Sequence, residues 1–156
     1  MKSSLRGAVN VTYPAGVGSC SGAPPCGTEM TSFNGVGAYS NGQYQCTGTS
    51  CGGWSSTGLQ WQCVELGQRY FNAQFGIAPV WPVSYALQMC TNYPSGVSQT
   101  SSPQPGDLIV FNWQPYGHVA VITGISGSSI SVMEQNGDAS GSNTYDSSQA
   151  ECFLTA

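Results

Sequence analysis

The stretch LQWQCVELGQRYF, residues 59–71, places its apolar side chains at helical spacing, with polar side chains between them. This spacing predicts an amphipathic helix that begins near Gln62. Cys63 then falls in the first helical turn, where unsatisfied backbone N–H groups and the positive end of the helix dipole favour a thiolate over a thiol. Gly67, one turn further on, has no side chain and lets the helix lie close to a sheet. The stretch therefore predicts a helix with a reactive cysteine at its start.

The composition of the chain limits the class of protein. Its 156 residues suit one domain, and only 6% of them are charged, with a net charge of -4. Three basic residues cannot form the cationic surface that nucleic acids or anionic membranes require. The apolar runs are of strand length and fall far short of the roughly 20 residues that span a bilayer. We therefore expect a monomer with neither a nucleic-acid partner nor a membrane partner.

The chain contains seven cysteines, which together with so few charges indicate an oxidising, extracellular compartment. Short loops containing Gly, Pro, Ser and Thr separate two of the possible pairs, and a third pair follows by elimination. The predicted disulfides are Cys20–Cys26, Cys46–Cys51 and Cys90–Cys152. A zinc site is disfavoured because the only histidine lies elsewhere in the sequence.

This pairing leaves Cys63, which is an inert buried thiol, one half of an intermolecular disulfide, or a nucleophile. A nucleophilic thiol needs a base, and the chain has one histidine, His118. His118 opens the alternating stretch HVAVIT, which predicts a β-strand. The stretches QPGDLIVFNW before it and ISVMEQN after it predict neighbouring antiparallel strands. A lone histidine in a strand is more often structural, so a catalytic role for His118 depends on the presence of Cys63.

The register between the last two of these strands decides what faces the histidine. If their hairpin folds about residues 126–127, residue 118 lies opposite residue 135 or one of its neighbours. A register that pairs His118 with position 134 or 136 puts Glu134 and Asn136 on its face of the sheet. A register that pairs it with Gln135 turns both away. The sequence leaves the two registers open.

Four stretches, WQCVELGQRY, GDLIVF, GHVAVIT and VMEQN, resemble in that order the motifs of the CHAP family. The members of this family are cysteine- and histidine-dependent amidohydrolases and peptidases with a papain-like fold. The resemblance covers about residues 54–136. It implies that Cys63 is the nucleophile, His118 the general base, Glu134 the carboxylate that orients the imidazole, and Asn136 a polar partner.

The resemblance also implies an α+β fold, in which N-terminal helices pack on a small antiparallel β-sheet. We expect residues 1–156 to form a single CHAP catalytic domain with its catalytic core in residues 54–156. Residues 1–53 are rich in Gly, Ser, Thr and Asn, which predicts an irregular segment pinned by the two short disulfides.

Further residues are candidates for the chemistry around Cys63. Its own backbone N–H and the side chain of Gln62 are candidate donors to an oxyanion. Trp54, Trp113 and Tyr116 are candidates for the walls of a substrate cleft, although large aromatic side chains are as often part of a core. The segment just before Cys63 contains no Asp or Glu, so we expect no calcium, no other metal and no cofactor.

The resemblance implies a secreted amidohydrolase or endopeptidase that cleaves amide bonds of bacterial peptidoglycan through a Cys-His-Glu triad. A second interpretation is an amidase of a small amide conjugate, because WQCVE, GHVAVIT and EQN also resemble glutathionylspermidine enzymes. Those enzymes work in a reducing cytosol, so the oxidation state of the cysteines distinguishes the two. A third interpretation is a catalytically idle module that binds cell walls.

Overall fold

The structure of this protein is a computed structural model, and it describes residues 23–42 and 51–156. Within these residues the β-strands are β1 (Glu29–Phe33), β2 (Val36–Tyr39), β3 (Trp54–Ser55), β4 (Gly58–Leu59), β5 (Ser98–Thr100), β6 (Leu108–Phe111), β7 (His118–Ser126), β8 (Ser129–Met133), β9 (Ser142–Asp146) and β10 (Ala150–Thr155). The helical elements of the same residues are the α-helix α1 (Cys63–Phe75) and the 3-10 helices Ala86–Cys90 and Ser147–Gln149. No helix in these two stretches is long and apolar enough to cross a bilayer.

Six of the strands form one antiparallel sheet in the order β5-β10-β6-β7-β8-β9. Helix α1 packs on one face of this sheet, and a second apolar cluster covers the other face. The predicted mixture of helix and sheet is therefore confirmed. The described residues contain one α-helix, where several N-terminal helices were predicted. The sheet is also wider than predicted, because β10 inserts between β5 and β6.

Helix α1 begins where the apolar spacing predicted, directly after Gln62. It begins at Cys63 and ends at Phe75, because Gly76 adopts the left-handed conformation (φ 67°) that closes helices. Gly67 faces β6, where an added Cβ would lie 3.4 Å from the Leu108 side chain. This is an ordinary van der Waals distance, so an alanine would also fit and the packing of helix on sheet does not require the predicted glycine.

Two polar side chains of α1, Glu65 and Gln68, are buried although the pattern placed them between the apolar positions. The Gln68 amide donates to the carbonyl oxygen of Thr57 and accepts from the backbone N–H of Trp81. The Glu65 carboxylate accepts from the Thr57 hydroxyl and the Arg69 guanidinium. Buried polar groups persist where such partners satisfy them. The polar side of the helix is thus covered by other parts of the chain.

The hairpin between β7 and β8 folds about residues 127–128, one residue later than predicted, because Ser126 lies opposite Ser129. Side chains alternate between the two faces of a sheet, so a shift by one residue reverses the face of every side chain beyond it. Continued unchanged, this register would turn Glu134 away from the sheet face that carries His118.

A β-bulge between Ile122 and Gly124 corrects the register. It gives β7 one extra residue, and beyond it Ile122 pairs with Val132. The chain that leaves β8 then places Glu134 on the face of the sheet that carries Val132, Ile122 and His118. The bulge therefore decides between the two registers that the sequence left open.

Residues 29–39 form a hairpin inside the segment that was predicted to be irregular. Strands β1 and β2 pair antiparallel, and Asn34 and Gly35 at the turn have positive φ angles of 50° and 79°. Asn-Gly is a strong signal for a two-residue hairpin turn, because such turns need left-handed backbone at both positions. This part of the N-terminal segment packs against helix α1.

The disulfide framework agrees with the prediction only in part. The Cys90–Cys152 bridge is present, as predicted. Cys26 is bonded to Cys51, with their Cα atoms 6.0 Å apart, so the predicted Cys20–Cys26 and Cys46–Cys51 bridges are wrong. Cys20 and Cys46 themselves lie outside the described residues.

The tertiary structure explains why Cys26 pairs with a distant cysteine. The β1–β2 hairpin brings the chain back beside its start, where the N–H of Gly27 donates to the carbonyl oxygen of Ser40 at 2.9 Å. The next residue, Asn41, accepts a hydrogen bond from the N–H of Cys51 through its side chain. Spacing along the sequence, on which the prediction depended, contains no information about this return of the chain.

Candidate active site

Two elements that are distant in sequence meet at the start of helix α1. Cys63 is the first residue of α1, and His118 is the first residue of β7. Both side chains are 0% exposed, and a hydrogen bond joins them. The helix start also presents backbone N–H groups that have no partner within the helix. The structure thus brings together the cysteine and the histidine that the sequence singled out.

The orientation of the imidazole is set by contacts on several sides. The distance between His118 Nε2 and Glu134 Oε2 is 2.9 Å, and the carboxylate is fully buried. The Trp113 ring stacks on the imidazole with 5.0 Å between ring centroids and an interplanar angle of 6°. Because Nε2 is bound to Glu134, Nδ1 is the nitrogen that remains for the thiol of Cys63.

The electrostatics of this cluster favour a cationic imidazole. Burial opposes charge on His118, but the charge and hydrogen bond of Cys63, followed by those of Glu134, outweigh it and raise the His118 pKa from 6.5 to about 10. The imidazole is therefore protonated at neutral pH.

Glu134 has further partners that the sequence interpretation did not identify. The Tyr145 hydroxyl lies 3.0 and 3.1 Å from the two carboxylate oxygens. Asn143 Nδ2 lies 3.2 Å from the Tyr145 hydroxyl and 3.5 Å from Glu134 Oε1. Gly137 packs so closely that an added Cβ would lie 2.7 Å from the carboxyl carbon. The carboxylate is therefore enclosed by hydrogen bonds and by backbone.

Gln62, the predicted oxyanion donor, is buried beside the cysteine. Its Oε1 accepts a hydrogen bond from Asn136 Nδ2 at 3.2 Å, whereas its Nε2 has no hydrogen-bond partner. Asn136 adopts a left-handed backbone conformation (φ 54°), which asparagine tolerates better than most residues. A buried amide donor without a partner is uncommon in folded proteins and suits a site where an anionic oxygen forms.

Gln135, between Glu134 and Asn136 in the sequence, links the two halves of the site. Its Nε2 donates to the carbonyl oxygen of Gln62 at 2.9 Å and to Glu65 Oε1 at 3.1 Å. Its Oε1 accepts from the backbone N–H of Tyr39 and from Arg69 Nη2. These four bonds use the full capacity of an amide side chain. They join the end of β8 to the start of α1 and to β2.

The three predicted cleft residues lie in different surroundings. Trp54, in β3, is 55% exposed. Trp113 is stacked on the imidazole of His118. Tyr116 packs with its ring 5.5 Å from that of Tyr85. Trp113 therefore supports the histidine ring, and Trp54 is the most exposed of the three, since Trp113 and Tyr116 are partly buried.

The cysteine and the histidine are closed off from solvent in this conformation. The side chains of Cys63 and His118 are each 0% exposed. Within residues 23–42 and 51–156, no cluster of three or more His, Cys, Asp or Glu side chains is placed to hold a metal ion.

The sequence interpretation missed Tyr145, Asn143, Gln135 and Gly137. The first two alternate in β9, so period-two spacing predicts that they share a face once the strand is recognised. That strand received no assignment from the sequence, because SNTYD contains few of the apolar residues that mark strands. Gln135 and Gly137 flank the identified residues and carry no separate signal.

The model of the CHAP domain family matches residues 54–136, and the chain belongs to this family. The matched range begins at β3 and ends at the residue that binds Gln62.

Two solved structures show the extent of the structural likeness. The crystal structure of Ly7917 superposes with a TM-score of 0.50 at 21% identity, covering 62% of this chain and 53% of that chain. The crystal structure of Ly7917 with the hydrolyzing product of MDP has a TM-score of 0.47 at 21% identity, covering 60% and 53%. The chain thus spans about half the length of these proteins, and the likeness concerns the fold. No curated protein sequence matches the chain.

Proposed function

We propose that the protein is a secreted cysteine hydrolase that cleaves amide bonds in bacterial peptidoglycan. The observation that carries this proposal is the position of His118 between Cys63 and Glu134, with its pKa raised to about 10. Membership of the CHAP family supports the substrate class, because CHAP domains most often hydrolyse peptidoglycan. We assign the catalytic core to residues 54–156.

In the first step, the Cys63 thiolate attacks the amide carbonyl carbon, a C–S bond forms, and the carbonyl π electrons move to oxygen. The backbone N–H of Cys63 and Gln62 Nε2 donate to this oxyanion. Asn136 binds the other end of the Gln62 amide and so keeps Nε2 available. In this role Asn136 acts through Gln62.

In the second step, the imidazolium of His118 donates its proton to the departing amine as the C–N bond breaks, which leaves an acyl-thioester on Cys63. The neutral imidazole then takes a proton from water, whose oxygen attacks the thioester carbon. The sulfur leaves as a thiolate and the imidazolium is restored. Glu134 keeps the ring oriented and favours its cationic form in both halves of the cycle.

The Cys26–Cys51 and Cys90–Cys152 disulfides support an oxidising compartment and hence secretion. They disfavour the alternative of a glutathionylspermidine-type amidase, which would work in a reducing cytosol. A catalytically idle wall-binding module would not need a thiol, an imidazole and a carboxylate that lie in contact with one another in this order.

The proposal is tested by incubating purified peptidoglycan with wild type, Cys63→Ala and His118→Ala, and identifying released fragments by mass spectrometry. We expect release by the wild type and a loss of roughly a thousandfold or more in each variant, as when a nucleophile or base is removed from comparable sites. The matched control is Gly53→Ala, because an added Cβ at Gly53 meets nothing within 4 Å. Fragments with a new N-terminal alanine would identify cleavage next to muramic acid.

Three outcomes contradict the proposal. Fragment release by folded Cys63→Ala would exclude the thiol mechanism. Binding of the wild type to peptidoglycan without any release would favour the idle module, and release of spermidine from glutathionylspermidine alone would favour the small-conjugate amidase. Circular dichroism spectra of all variants show whether each has folded.

A further inference from the structure

Strand β9 places a tyrosine behind the carboxylate of Glu134. The Tyr145 hydroxyl lies 3.0 Å from Oε1 and 3.1 Å from Oε2, and Oε2 is also the atom that contacts His118 Nε2. Cys63, His118, Glu134 and Tyr145 therefore form a continuous series of polar contacts that runs from α1 to β9.

The direction of the hydrogen bond follows from its neighbours. Asn143 Nδ2 can only donate, and it lies 3.2 Å from the Tyr145 oxygen. This contact leaves the single hydroxyl proton of Tyr145 for the carboxylate, which accepts hydrogen bonds when ionised. Since Glu134 is 0% exposed, solvent does not stabilise a charge on its carboxylate, and only hydrogen-bond donors of the protein can do so.

The ring of Tyr145 is held by the same aromatic cluster that supports the imidazole. Its centroid is 4.7 Å from that of Phe111 and 5.5 Å from that of Trp113. Trp113 in turn stacks on His118. The hydroxyl is therefore fixed relative to the histidine by packing on both sides of the carboxylate.

We propose that Tyr145 is a positioning residue that keeps Glu134 ionised and directed at His118. This inference rests on the proposed function, because it concerns the carboxylate of the same triad. Tyr145 acts through Glu134 and is not a catalytic residue itself.

The substitution Tyr145→Phe keeps the ring and removes only the hydroxyl. The ionised carboxylate loses a charge-assisted donor, so it becomes protonated at higher pH. We expect the acid limb of the kcat profile to move up by about one pH unit, a tenfold change in proton affinity. At neutral pH we expect kcat to fall roughly tenfold with KM nearly unchanged, since the group lost acts on orientation rather than binding.

The control is Tyr93→Phe, because Tyr93 packs against the core on the helix side of the sheet. A merely structural effect of losing a tyrosine hydroxyl lowers stability and leaves the acid limb in place. Asn143→Ala is a second variant that weakens the same contact, and we expect it to shift the limb in the same direction by a smaller amount.

A substrate-free measurement separates this inference from the proposed function. His118 is the only histidine, so its NMR resonances are assigned without ambiguity and report protonation of Glu134 as an inflection at acid pH. The titratable groups of the described residues that face the imidazole are Cys63 from α1 and Glu134 after β8, with Tyr145 of β9 behind the latter.

We expect the acid inflection to move upward in Tyr145→Phe and to stay in place in Tyr93→Phe. An inflection at the wild-type position in folded Tyr145→Phe overturns the inference, whatever the activity on peptidoglycan. A shifted inflection in a protein that releases no peptidoglycan fragments would support Tyr145 as the partner of Glu134 while refuting the proposed function.

Discussion

Substituting Gly137 by alanine should disable the site by steric contact alone. An added Cβ at Gly137 would lie 2.7 Å from the carboxyl carbon of Glu134 and 2.9 and 3.0 Å from its oxygens. Ordinary van der Waals contact begins at 3.4 Å, so the carboxylate or the backbone must move by about 0.7 Å, which is 3.4 minus 2.7. The methyl group itself brings no charge and no hydrogen bond.

This displacement exceeds what the hydrogen bonds of Glu134 tolerate. If the carboxylate retreats from His118, the 2.9 Å distance to Nε2 becomes about 3.6 Å, beyond the range of a hydrogen bond. If it moves the other way, it collides with its own partners. Losing a hydrogen bond to a charged group costs about 1.5–3 kcal/mol. On the activation barrier, that corresponds to a rate reduced roughly 10- to 150-fold.

The assay compares the rates of fragment release from peptidoglycan by wild type, Gly137→Ala and Gly53→Ala. Gly53 is the matched control, since its added Cβ meets nothing within 4 Å and its backbone is not left-handed. Both variants should retain the circular dichroism spectrum of the wild type. A rate for Gly137→Ala within threefold of the wild-type rate would show that the carboxylate has room to adjust, and would refute the reasoning.

The pH dependence follows from the His118 pKa of about 10. The charged imidazole stabilises the folded state fully below the unfolded pKa of about 6.5, and this stabilisation is lost as the pH rises towards 10. We therefore expect the unfolding free energy of the wild type to fall between these pH values relative to that of His118→Gln. NMR titration should show no deprotonation of His118 near pH 6.5 in the wild type, and a lower His118 pKa in Cys63→Ala. Deprotonation of His118 near pH 6.5 in the wild type would contradict this prediction. For the disulfides, loop closure over the sequence separations of 25 and 62 residues predicts losses of about 3 and 4 kcal/mol for Cys26→Ser/Cys51→Ser and Cys90→Ser/Cys152→Ser in denaturant unfolding. Non-reducing peptide maps that link Cys20 to Cys26 would refute the Cys26–Cys51 pairing.

Features that depend on local spacing could be predicted from the sequence. The helix from Cys63 to Phe75 follows from the period of its apolar residues, and the strand that begins at His118 follows from alternation. The Asn34–Gly35 hairpin carried an equally local signal, which the low apolar content of the surrounding segment obscured.

Features that depend on tertiary structure could not be predicted. The bulge after Ile122 reverses the face of every later residue of the hairpin, and nothing in the alternating sequence marks it. The Cys26–Cys51 bridge depends on the β1–β2 hairpin, which brings the chain back beside Cys26. Tyr145 lies in a polar strand, and its role emerges only when β9 pairs with β8.

The tripeptide Glu134–Gln135–Asn136 explains how residues so far apart in sequence share one site. The side chains of the outer two residues reach His118 and the amide of Gln62, while the side chain of Gln135 lies towards helix α1. There its amide binds the backbone of Gln62 at the helix start. One segment therefore orients the imidazole, orients the amide of Gln62 and anchors the start of the helix that carries Cys63. Gln135 therefore constrains the geometry of the site through its hydrogen bond to the backbone of Gln62.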